Sequence, residues 1–180
     1  QAIQIWFVDA DETKNQQIQV LNNTGTIAPD SVIEFGDNDV FYLSKSGIRS
    51  LRARDSSNAA FVGDIGNPID DLVVAEITSN ILDARKGTAI HEPKDGRYLL
   101  AIGSKVYVFS YFPSSKVSAW SIYEPGFNID KWAFDGSQIL CRSGNKLFSL
   151  GGTNGTTYDN STVTVQMPFL DAGRPASFKD

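Results

Sequence analysis

The chain has 180 residues and a net charge of −5. It is long enough to bury one sizeable core, and its charge has the wrong sign for a protein whose main task is gripping nucleic-acid phosphates. No apolar run approaches the ~20 residues of a membrane-spanning helix, no signal peptide is read at the start, and the single cysteine, Cys141, excludes an internal disulfide framework.

In chain order, residues 3–8 and 17–21 predict a strand pair around the polar turn 9–15. Short strands follow at 32–35, 40–43, 48–52 and 59–62. One inserted helix is expected at about 68–82. Asn67 would cap it, Pro68 suits its first turn, and Asp70 and Asp71 suit its positive end. Arg85 and Lys86 suit its negative end, and Gly87 would stop it. Ile69, Leu72, Val73, Ile77 and Ile81 fall at helical spacing, which predicts one apolar stripe packed down between blades, with the helix on the outside. Strands at 88–91, 97–102, 105–111 and 117–123 make a second set. Strands at 131–134, 138–141, 146–150 and 162–167 make a third, with an exposed loop expected at 151–161 before the last of them. Gly, Pro, Asn, Asp and Ser cluster between the runs, as turns require.

One hairpin is written three times, at 39–51, 96–109 and 136–150: a strand, a glycine turn, a second strand. Gly103 and Gly144 lie 41 residues apart, the length of one four-stranded propeller blade. Gly47 and Gly103 lie 56 apart, and the inserted helix accounts for the excess. In residues 105–109 both parities are apolar or aromatic, which predicts a strand covered on both faces. The expected fold is all-β: a propeller-like array of short antiparallel four-stranded blades within a single β domain over 1–180. Blade-like units are read at 31–63, 87–123 and 127–167, with a partial blade at 1–21. Propellers typically have four to eight blades. Either residues 1–21 complete a blade with C-terminal strands, or the chain is part of a larger propeller-containing protein. The missing initial Met favours a processed product or a segment.

Few residues carry a chemical signal. Asp9, Asp11, Glu12 and Asn15 resemble the first half of a calcium loop but lack its glycine and final glutamate, so a solvated turn is the better reading. His91, the one histidine, is read as a partly exposed edge residue; no nucleophile elbow, zinc pair or Cys pair accompanies it. Asp37 or Asp39, Asp95 and Asp135 recur at one repeat position. Paired acids support glycoside hydrolysis, but recurring aspartates at hairpin starts fit turn chemistry better. Arg49, Arg52 and Arg54, with Lys45 before them, form a basic strip, read as the solvated face of an edge strand. Asn22, Asn154 and Asn160 match the glycosylation pattern, which Asn/Thr-rich turns generate by chance. Cys141 reads as a small buried hydrophobe. No catalytic, cofactor-binding or metal-binding residue is assigned.

The repeat phrases carry a resemblance. Residues 40–51, then 93–111 with 117–122 and the helix before them, and finally 168–173, resemble β-propeller proteins of tailed-phage tails. The likeness spans about 31–173 and is a pattern of strands and turns. The family is the nozzle or tail-closure proteins of short-tailed bacteriophages. The resemblance implies a structural, non-enzymatic virion component that forms a homo-oligomeric ring and lines or gates the DNA channel. Its implied partners are tail proteins on the portal and adaptor side and at the tip or fibres, with DNA passing through unread and no membrane contact. A carbohydrate- or receptor-binding propeller module using Trp120, Tyr123 and Trp132 is the alternative. A hydrolase built on Asp95 and Asp135 is a third reading.

Overall fold

The computed structural model describes residues 2–36, 39–52, 64–94, 96–112, 114 and 117–151. The strand-forming runs become four small antiparallel sheets. β1 (Ala2–Phe7) pairs with β2 (Gln16–Asn22). A three-stranded meander follows: β3 (Ile33–Phe35), β4 (Asp39–Ser44) and β5 (Gly47–Ser50). The central sheet is the four-stranded meander β6 (Thr88–Glu92), β7 (Arg97–Ile102), β8 (Lys105–Phe112) and β9 (Val117–Tyr123). The last sheet holds β10 (Lys131–Phe134), β11 (Ile139–Ser143) and β12 (Lys146–Ser149).

Register explains why the central strands are apolar at both parities. Leu99 faces Val108 and Ala101 faces Val106 across the β7–β8 ladder, while Tyr98 faces Phe109 and Leu100 faces Tyr107. Directly opposed residues share a face. The first set therefore turns to one side, where it packs with Ile129, Ile139 and Cys141 of the last sheet's region. The second set turns to the other side, against Phe41, Leu43 and Ile48 of the β3–β5 sheet. Leu99, Leu100 and Val108 are wholly buried, and each such side chain contributes roughly 1.5–3 kcal/mol. Aromatic contacts tie the first core together: Phe35 stacks on Phe41 at 4.6 Å, and Phe41 meets Tyr98 edge-on at 5.5 Å. In the second core, Phe127 stacks on Phe148 at 4.2 Å.

The central meander thus lies between two others, and its inner strands, β7 and the first half of β8, are covered on both faces, as predicted for residues 105–109. The sheets stay separate and do not close on one another among the described residues. Four strands stand together only in the central sheet. The predicted strands 59–62 and 162–167, the loop 151–161 and the segment 168–173 lie outside the described residues, apart from Gly151.

The helical insertion differs from its prediction. A 3₁₀ turn (Asn67–Ile69) leads into α1 (Asp70–Ser79), and α2 (Ile81–Arg85) follows a break at Asn80. Asn67 makes no cap; it opens the 3₁₀ turn instead. At Asn80 the backbone leaves the helical region (φ −132°, ψ 54°) while its amide still donates to the Glu76 carbonyl, a break placed at a residue type that is poor in a helix interior. Ile69, Val73 and Ile77, four residues apart, join the core beneath the β3–β5 sheet. Leu72, 55% exposed, and Ile81, 41% exposed, do not: Leu72 sits one step off that ladder and Ile81 lies beyond the break. Ala84 is buried in their place.

The turn glycines also divide. Gly103 and Gly144 each open a two-residue hairpin loop at positive φ, 59° and 55°. Gly47 follows its loop instead, pairing with Ser44 inside the ladder.

Candidate functional site

The sequence-selected residues serve mainly as structural groups. At the β1–β2 turn, Asp9 accepts the Asp11 amide at 2.9 Å, and Asp11 accepts the Thr13 amide and hydroxyl at 3.1 and 2.7 Å. The Asn15 side chain accepts the Asp9 amide. No group of three or more His, Cys, Asp or Glu suited to a metal occurs among the described residues. With the Asp9 and Asp11 carboxylates engaged in the turn, the loop is expected to ignore millimolar calcium: the melting temperature should stay unchanged, and a rise of several degrees would restore the loop as a site.

His91 lies half-buried on β6, its ring 4.8 Å from Phe35. Burial lowers its pKa, opposed by the nearby Glu92 carboxylate. Asp39 accepts the Val40 and Arg52 amides and the Ser50 hydroxyl. Asp135 accepts the amides of Gln138 and Ser137 and the Ser137 hydroxyl. Those bonds, the Gln138 amide first, depress the Asp135 carboxyl to about 2. Its folded pKa lies below the ordinary 3.8, so its stabilisation is present above that value and is lost as pH falls through about 2. A carbon-detected NMR titration is expected to place the midpoint there, and Asp135→Ala should remove this acid-limb dependence. Asp37, Asp95 and Arg54 lie outside the described residues, as do Asn154 and Asn160. Lys45, Arg52 and Asn22 are exposed.

Two expectations need correction. Arg49 is not on a solvated face: only 7% of its side chain is exposed, and its guanidinium meets Asp70 at 2.7 Å and Asp64 at 3.7 Å. The tryptophans are braces between elements. Trp120 Nε1 donates to the Ile65 carbonyl at 2.8 Å, and Trp132 Nε1 donates to the Thr88 carbonyl at 3.0 Å. Partly buried and engaged through their polar tips, both indoles are poor platforms for a sugar ring. Tyr123 is exposed. Cys141 is buried, and burial raises its thiol pKa, as suits an inert core residue.

Among the described residues, a cleft of about 480 Å³ lies where α2 ends beside the β7–β8 turn and the start of β10. Backbone bonds fix its walls. The Ile129 amide donates to the Gly103 carbonyl at 3.1 Å, and the Asp130 amide donates to the Arg142 carbonyl at 2.8 Å. The Asp130 carboxylate accepts the Gly144 amide at 2.7 Å. Arg85, Lys86, Lys131 and Arg142 line the cleft with Asp30, Asp83 and Asp130. Lys131 pairs with Asp30. Arg85, Lys86 and Arg142 are exposed and have no carboxylate at ion-pair distance among the described residues. Four of the chain's sixteen Lys and Arg residues thus converge on one cleft, leaving a locally positive site on an acidic chain. Cations and carboxylates stand side by side in it.

No protein-family model, curated protein or solved structure matches this chain. Sequence reasoning assigned Arg85 and Lys86 only to a helix end and passed over Lys131 and Arg142. They converge because the α2 end, the β10 start and β11 meet around the β7–β8 turn, and no local pattern marks that meeting.

Proposed function

We propose that the chain is a structural element of a short-tailed phage's tail nozzle, built of propeller-type blades that wall the DNA channel and contact neighbouring virion subunits. One observation carries the reading: the inner strands of the central meander, β7 and the first half of β8, are buried on both faces between neighbouring meanders, as in stacked blades. The 41-residue spacing of Gly103 and Gly144 agrees with it. So does the use of Asp39, Asp135, Trp120 and Trp132 as braces and turn-formers. An acidic wall suits a channel that DNA must pass without sticking.

The reading is tested on virions made with and without the gene that encodes this chain. Negative-stain images are expected to show truncated tails when it is absent, and mass spectrometry should find it in intact particles. Tails unchanged in its absence would overturn the proposal.

A further inference from the structure

The β1–β2 hairpin and the basic cleft are complementary surfaces. The hairpin is a two-stranded sheet by itself, an arrangement that is marginal in water without something to cover it. Trp6, Phe7, Val8 and Ile18 are exposed on it, Val8 at 76%. Its tip carries Asp9, Asp11 and Glu12 against Lys14. The hydrogen bonds from Thr13 fix the tip and hold the Asp11 carboxyl below its ordinary range. Such a tip is preorganised, and docking it orders little further chain.

The cleft has the opposite charge and similar shoulders. Arg85, Lys86 and Arg142 have no carboxylate at ion-pair distance among the described residues, although Asp83 and Asp130 line the same cleft. Arg142 lies directly across the ladder from Leu147, so the two side chains share a face, and Leu147 is 68% exposed. Leu82, 70% exposed, adjoins the lining residue Asp83 in sequence. No residue of the 9–15 turn lines the cleft of its own chain.

We propose that the hairpin of one copy inserts its acidic tip into the cleft of a second copy. Asp9, Asp11 and Glu12 then meet Arg85, Lys86 and Arg142, and Trp6, Phe7 and Val8 cover Leu82 and Leu147. The contact joins two different surfaces, so its repetition closes a ring where the rotation permits. Ring closure rests on the nozzle reading, whereas the pairwise contact does not.

Light scattering on the full chain from micromolar to several hundred micromolar tests the contact. Wild type is expected to associate with concentration, and added salt should weaken the association. Arg142→Glu and Glu12→Lys are each expected to weaken it about tenfold or more, and the two together in one chain should restore it. Both positions are exposed, so melting temperatures should not move; this separates lost docking from lost folding. A monomeric wild type, reversals without effect, or a double variant that does not recover would each overturn the contact. If the single reversals leave an observed ring intact, the contact fails and the nozzle reading stands. If reversal and recovery behave as expected but the protein is absent from virions, the contact stands and the nozzle reading fails.

Discussion

Arg49→Ala is expected to destabilise the fold by about 3–5 kcal/mol, the range for removing one partner of a buried ion pair. Against a typical stability of about 5–15 kcal/mol, that loss should appear as a large drop in the urea midpoint. Arg49 donates to the two Asp70 oxygens at 2.7 and 2.9 Å and to the Ile48 carbonyl at 2.9 Å. It also bonds the Ser46 side chain and carbonyl. Asp64 lies beside it, its side chain 6% exposed, accepting the Ser50 and Ile65 amides. This node fastens the helical insertion to the β4–β5 hairpin. Removing the guanidinium leaves the Asp64 charge buried with less compensation, so the cost exceeds the lost hydrogen bonds.

Two glycines make room for the node. A Cβ on Gly47 would stand 2.1 Å from the Asp70 carboxylate, and one on Gly66 would stand 2.2 Å from the Ile48 carbonyl oxygen. Gly47 also sits at φ +122°, a strained conformation for any other residue. Gly47→Ala is therefore expected to be destabilising as well. If Arg49→Ala costs less than about 1 kcal/mol, the range of exposed pairs, the node is peripheral and this account fails.

Arg49 also marks the limit of what the sequence makes legible. The strands could be read because their signals are local: apolar runs, turn residues between them, and a spacing that repeats. The both-face burial of β8 could be read because Lys105–Phe112 shows no alternation over its first half. Partner choice could not. Arg49 looks like one cation in a basic strip until Asp70, 21 residues on, is brought against it by a docked helix. Gly47 looks like a turn glycine, yet its special role lies in that contact. Leu72 and Ile81 satisfy a helical pattern, but the Asn80 break and the angle at which α1 meets the core decide which apolar residues are buried. The cleft is the extreme case: Asp30, Arg85, Lys131 and Arg142 come from separate elements and share no motif.

Leu99→Ala and Leu100→Ala are each expected to cost about 2–5 kcal/mol, the range for truncating buried leucines, with opposite structural signatures. The two residues are neighbours on β7, and both are fully buried. Leu99 turns toward the core shared with Ile139 and Cys141. Leu100 turns toward the core shared with Phe41, Val73 and Ile77. A cavity is felt first by the side chains that line it, because a close-packed interior relaxes only partly. Native-state hydrogen exchange should therefore separate the two variants. Leu99→Ala is expected to speed exchange in β10–β12 while leaving β4 and α1 protected. Leu100→Ala should do the reverse. Combined in one chain, the pair should lose more than the sum of the single costs, since both cavities weaken the one strand that joins the cores. If either single variant loosened all the sheets equally, the two faces would belong to one cooperative unit, and the division of the molecule into separately packed meanders would fall.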